Sequence, residues 1–315
     1  MLGGIAIGLA FGLLGAALIG TSDVIARVTA QRVALPVLLL FVFGLSTPLI
    51  GAWLFMVAGG LAWDPRAWAV CVASGVLNVA ALAFLYLALA RGPVSLASPA
   101  ASSFTVMLVL MNIVAGEPYG ASQVVAVLLV FFGIAMLSRA PKRPADGAPT
   151  ETAAVTESVA HLRGTLLLAL LAAATVSLRF FLAQEATEQL GVLETIFLTR
   201  AASLVTTLLL LLAPFSWSNI LPTTTGSRTS SNIWRERGLL PLVLIQATFE
   251  TAALAAFLAG GAMGDRIAVT IGFSAFAAIS PIVAWLWLKD ELGGRRLFWI
   301  GVVVIGAALS ALPSP

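Results

Sequence analysis

The 315-residue sequence predicts an all-α integral membrane protein of ten transmembrane helices, arranged as two inverted five-helix repeats. Three observations carry that prediction. First, 60% of the residues are hydrophobic and 10% are charged, against roughly 25% charged in a soluble domain. Seventeen bases and fourteen acids cannot form a charged shell around a chain of this length, so lipid must be the solvent over most of the surface. Second, the chain divides into ten apolar stretches, each near the roughly 20 residues needed to span hydrocarbon as a helix. Third, one polar linker cuts those stretches into two sets of five that match each other.

The first stretch, 4–28, opens "MLGGIAIGLAFGLLG" without the basic region of a secretory signal, so it reads as a retained span. Gly4, Gly8, Gly12, Ala16 and Gly20 recur along it every four residues. Such a ridge of small residues lets another helix backbone come close. Spans follow at 36–58, 66–90, 94–115 and 120–138, divided by "RVALP", "AWDPRA", "RGPVS" and "GEPYG", where Pro, Gly or charge breaks the helix. The segment 139–163 is rich in Pro, Ala, Thr and charge and predicts a solvated linker without a core. Five more spans lie at 165–184, 192–213, 239–261, 266–288 and 295–312. Runs such as "LVTTLLLLLA" lack the alternation of a β-barrel strand. Most tryptophans fall near span ends, as an interfacial belt requires.

The halves align on "MNIVAGEPYGASQVVAVLLVFFGIAML" and "WLWLKDELGGRRLFWIGVVVIGAALSAL". Each runs from an apolar span through a glutamate, Glu117 or Glu291, into a final span carrying Gly133 or Gly306. Five is odd, so a five-span repeat reverses its direction through the membrane, an architecture recurrent in transporters. In this paired layout the chain resembles the EamA-type permeases of the drug/metabolite transporter superfamily. The resemblance covers nearly the whole chain: residues 1–138 as the first repeat, 139–163 as the linker and 164–315 as the second repeat. It implies ten helices around a central cavity, a bacterial inner-membrane location, and outward movement of small metabolites such as amino acids or related compounds. The sequence departs from an even repeat in its prolines, with Pro281 before the second glutamate and Pro99 earlier in the first half.

Arginine and lysine favour the cytoplasmic side of short loops. One set of loops holds Arg27, Arg32, Arg91, Arg139, Lys142, Arg143, Arg163, Arg228, Arg235, Arg237, Lys289, Arg295 and Arg296; the other holds Arg66 and Arg266. The tally predicts a cytoplasmic linker with both termini outside. Lys289-Asp290-Glu291-Leu292 spells a lumenal retention signal, but 23 residues follow it, and that signal is read at a C-terminus. It is expected to be boundary punctuation.

Ionisable groups at membrane depth are costly and need a reason. Asp23 and Arg27 stand four apart in the first span and can pair on one helix face. Arg179, Arg200 and Glu250 lie deeper, in the sixth, seventh and eighth spans. One carboxylate cannot neutralise two guanidiniums, so an Arg–Glu bridge leaves the second arginine to a cavity or a ligand. An arginine can present two parallel donors to a substrate carboxylate or phosphate. Glu250 is expected either to neutralise an arginine or to bind a coupling proton. Asn78 aligns with Glu250 in the repeat, and Gln246 lies one turn from it. Ser98, Ser102, Tyr86 and Ser274 complete the candidate cavity wall, although Ser and Thr also mediate ordinary helix packing in lipid.

The expected partners are the lipid bilayer, a small-molecule substrate and a coupling proton, without nucleic acid, for a monomer or homodimer. No cofactor, metal site or catalytic residue is expected. The one histidine, His161, lies in the linker; Cys71 has no basic neighbour in sequence; and no glycine-rich phosphate loop with a lysine is present. A lipid-carrier flippase and a non-transporting membrane subunit are the alternative readings. The first would have a laterally open, arginine-lined groove, and the second no cavity.

Overall fold

The computed structural model describes residues 2–30, 35–91, 103–137, 153–212, 238–289 and 294–309, all regular structure within them being helical. The helices are α1 (Leu2–Ala30), α2 (Leu35–Ala58), α3 (Pro65–Arg91), α4 (Phe104–Val114), α5 (Ala121–Leu137), α6 (Ala153–Leu190), α7 (Val192–Leu212), α8 (Leu239–Met263), α9 (Arg266–Ser274), α10 (Phe276–Leu288) and α11 (Gly294–Leu309). Among the described residues, seven helical stretches are long and apolar enough to cross a membrane, α9 and α10 together making the seventh. Three shorter apolar helices, Phe104–Val114, Ala121–Met136 and Leu297–Ala307, stand where the fourth, fifth and tenth spans are expected. Helix α6 begins at Ala153, inside the segment expected as linker, and its apolar span begins at Arg163.

Polarity is distributed as lipid demands. Large apolar side chains such as Leu49, Phe55, Val114 and Leu212 are exposed, while Ser74, Ser177, Ser203 and Ser274 are fully buried. Most buried hydroxyls settle on their own helix: Thr187, Thr207 and Thr251 each donate to the carbonyl four residues earlier, at 2.7–2.8 Å. Trp53, Trp63, Trp285 and Trp287 remain exposed near helix ends.

The packing repeats when the halves are exchanged. Helix α1 packs on α8, α9 and α10, and correspondingly α6 packs on α3 and α4. Second helices meet each other as α2 on α7, fifth helices as α5 on α11, and α2 on α8 mirrors α3 on α7. At the α5–α11 contact, a Cβ on Gly133 would stand 2.7 Å from Val303, and one on Gly306 would stand 2.9 Å from Val130. The two repeat-matched glycines thus serve the same purpose on opposite sides of one interface.

The α1 ridge meets α9 and the turn that precedes it. A Cβ on Gly8 would fall 2.7 Å from the Asp265 carbonyl oxygen, and one on Gly12 would fall 2.9 Å from the Phe273 nitrogen. Both neighbours are backbone, which cannot rotate away. Gly3, one residue off the ridge, has nothing within 4 Å of its added Cβ. Gly12→Ala is therefore expected to cost about 1–3 kcal/mol or more by overpacking. Gly3→Ala should leave stability unchanged or slightly raised, and thermal melting in detergent compares the two.

The ninth span is discontinuous. Helix α9 ends at Ser274 and α10 begins at Phe276; Ala275 and Ala278 donate to carbonyls three residues back, at 3.1 and 2.9 Å. Pro281 lies inside α10, so one amide of its first two turns has no proton to donate. Lys289 ends α10 in the left-handed conformation, φ 57°; the rest of the charged turn lies outside the described residues.

Candidate functional site

Five helices bring the deep ionisable groups together. Arg200, in α7, is 2% exposed and donates from Nη1 to Glu250 Oε1 of α8 at 2.9 Å. Its guanidinium carbon lies 5.5 Å from the ring of Phe43 of α2. Its Nε finds no acceptor among the described residues, a buried donor left open at a cost of about 1–3 kcal/mol.

Arg179, in α6, is within electrostatic range of both Arg200 and Glu250. It forms no ion pair among the described residues, and its guanidinium lies 4.0 Å over the neighbouring Phe180 ring. Of the two arginines, then, Arg200 is bridged and Arg179 is left over. Asp23 of α1 joins the group by facing Glu250 electrostatically. The residue is exposed.

The remaining candidates divide. Gln246 accepts from Thr29 Oγ1 through its side chain at 2.8 Å and from Ser22 Oγ through its backbone at 3.3 Å, tying α8 to α1 one turn from Glu250. Asn78 donates to Ser203 Oγ at 3.2 Å where α3 and α7 approach closely at Gly75. Ser274 donates to the Ile271 carbonyl at 2.6 Å, at the break after α9. The last two positions are engaged in helix packing. Ser98 and Ser102 lie outside the described residues, as does the side chain of Tyr86.

A second charged group was not singled out by sequence, where Arg266 figured only as a loop charge. Arg266 opens α9 and is 5% exposed. It pairs with Glu117 in the α4–α5 turn at 3.2 Å, with Glu185 of α6 at 2.5 Å, and with Glu188 of α6. Asp265 caps α9, accepting from the Ala268 amide at 2.7 Å, and accepts from Gln123 Nε2 at 3.1 Å. Burial pushes the Glu117 carboxyl above the usual carboxylate range; Arg266 opposes that shift, and Asp265, Glu188 and Glu185 reinforce it. The sequence signal was "QEATEQ" read against "GDR": α6 runs past the expected end of its span, and Glu185 and Glu188 stand three apart on one face.

Between the two groups lies a cluster of phenylalanines. Phe104, Phe180, Phe257 and Phe273 are buried, and Phe276 is packed against them. Their ring centroids lie 4.7–6.1 Å apart, with Phe180–Phe257 the nearest pair. Phe104 and Phe273 each meet Phe276 at 6.0 Å with tilted rings.

The family comparison bears on what such an interior does. Residues 6–139 match the EamA-like transporter family. The first half of this chain is an EamA domain. EamA proteins are transporters rather than enzymes, and that domain together with the long apolar helices supports a multi-pass plasma-membrane location. Among curated proteins nothing matches the sequence. Among solved structures, one crystal structure is similar with a TM-score of 0.68 over 95% of each chain, at 18% identity. That likeness is one of fold, and it takes in the second half of the chain, which the family match does not reach.

Proposed function

We propose that the chain is a secondary transporter of small metabolites, an exporter working by alternating access around a cavity lined by Arg179, Arg200, Glu250 and Asp23. The fold reading that goes with it is ten spans in two inverted five-helix repeats, 1–138 and 164–315, joined by 139–163. Membership of the first half in a transporter family supports the class of function. The observation that supports the site is the leftover charge: Arg200 is bridged to Glu250 while Arg179 has no counter-ion among the described residues. A desolvated guanidinium favours a carboxylate or phosphate, so the substrate carries an anionic group, as amino acids and related metabolites do.

Glu250 is the proton-coupling group in this reading. A proton on Glu250 removes the charge that holds Arg200 and adds a second free guanidinium to the substrate site. The test is flux of radiolabelled amino acids and other carboxylate- or phosphate-bearing metabolites in proteoliposomes, with and without a proton gradient. Flux of such a compound that Arg179→Gln abolishes supports the reading. An intact protein that moves none of them overturns it.

The termini are placed outside and the 139–163 linker in the cytoplasm, on the thirteen-to-two distribution of basic residues. A C-terminal tag should accordingly be reachable by antibody in cells with intact inner membranes and a permeabilised outer envelope. Protection of the tag until the inner membrane is broken would reverse the orientation.

A further inference from the structure

We propose that Arg266 is the latch of a gate that closes the bundle at the end where α1 begins, and that the transport cycle requires its ion pairs to separate. The inference rests on the transporter reading and adds where the pathway is shut.

The latch gathers parts of both halves. Glu117 comes from the α4–α5 turn of the first half, while Glu185, Glu188 and Arg266 belong to α6 and α9 of the second. Gly4 and Gly8 of α1 lie against Gly264 and Asp265 beside it. The charge balance is unusual for a purely structural bridge. Glu117, Glu185, Glu188 and Asp265 are four acids around one base, so the group is held by the arginine and repels itself without it. A group whose attraction reverses when one partner leaves has two arrangements, as a gate requires.

A second barrier lies behind the first. Phe180 is five residues before Glu185 on α6, and Phe273 is seven after Arg266 on α9, so the ring cluster sits roughly 7–11 Å deeper along the helices. Asn112 and Gln184, both buried, bridge the interval with a 3.3 Å hydrogen bond. Beyond the rings stand Arg179, Glu250 and Asp23. Asp23 lies near the far end of the α1 span and is exposed, whereas four of the five rings are buried. In this reading the site opens toward the far side, while latch and rings seal the near one.

Glu117 makes the latch pH-sensitive, facing Arg266, Asp265, Glu188 and Glu185. Its affinity for a proton is raised where it is buried, so closing the gate favours the protonated form. Acid holds the gate shut through this residue, and the contribution fades as pH rises through its raised value.

The test uses the full chain with Cys71→Ala and a single reporter, Ala183→Cys. Ala183 is 1% exposed and lies between rings and latch on α6. In proteoliposomes, a membrane-impermeant maleimide should label the reporter about tenfold faster when Arg266→Gln is added, as a shift in an open–closed equilibrium gives. Labelling of the parent should slow on acidification, and Glu117→Gln should remove that part of the pH dependence. If Arg266→Gln does not fold, Arg266→Lys, which keeps the charge but not the forked geometry that holds several carboxylates at once, carries the same test with a smaller acceleration. Equal labelling in a folded latch variant and its parent overturns the gate. The readout needs no substrate. Latch-dependent labelling without flux would refute the transport reading alone, and flux with latch-independent labelling would refute the gate alone.

Discussion

Glu250→Ala is expected to destabilise the protein by about 3–5 kcal/mol. The side chain of Arg200 is 3% exposed and its only ion pair among the described residues is the 2.9 Å bridge to Glu250. Removing the carboxylate leaves a buried guanidinium with no compensating charge, and its Nε is already without an acceptor. The attraction within the pair is largely cancelled by the cost of desolvating both groups, so removing both together should cost far less. Arg200→Met combined with Glu250→Leu is accordingly expected to recover most of the loss. A double-mutant cycle read by thermal melting in detergent checks this, and additive losses would show that the bridge is not what matters. Glu250→Gln separates stability from coupling. It should retain more of the fold than alanine while flux loses its dependence on a proton gradient; full gradient-dependent transport would remove Glu250 from the coupling role.

Arg179→Gln should behave in the opposite way. Arg179 makes no ion pair among the described residues, so neutralising it relieves an unpaired charge and should leave the melting temperature unchanged or raised. Flux should nonetheless fall steeply. A hydrogen bond to a charged group is worth about 1.5–3 kcal/mol, which corresponds to a loss of about 10–150-fold in affinity for an anionic substrate. Arg179→Lys keeps the charge but not the two-pronged geometry and should retain part of the activity. The proteoliposome assay, run over a range of substrate concentrations, places the loss in apparent affinity. Unchanged flux in Arg179→Gln would exclude Arg179 as the substrate anchor. Together the two substitutions distinguish a counter-ion from an anchor: one weakens the fold, the other weakens binding.

The α1 ridge shows how far local pattern carries. Spacing of four alone predicted close approach at Gly8 and Gly12, and the structure places the backbone of α9 there. Gly133 and Gly306 were likewise visible as a matched pair, and each stands where the other's helix comes close. Span length was less legible. Helix α4 retains 11 residues within the described region, and a hydropathy ruler does not see where a helix stops. Arg266 was the largest omission. Its partners come from positions 117, 185 and 188, and no periodicity within one helix links a turn of the first half to two helices of the second.

What the sequence determined by itself is the solvent and the symmetry. A chain with this little charge must satisfy its backbone polarity internally within lipid, and its paired layout predicts packing that repeats when the halves are exchanged, as α2 on α7 and α5 on α11 do. What only the tertiary structure decided is which charges meet. The sequence contained two deep arginines and one deep glutamate, without saying which arginine the glutamate would take. Packing of α7 against α8 assigned Glu250 to Arg200 and left Arg179 open. The physical reason is range: hydrophobic burial acts on every residue according to its type, whereas an ion pair in a low-dielectric interior depends on a few ångströms set by how helices cross.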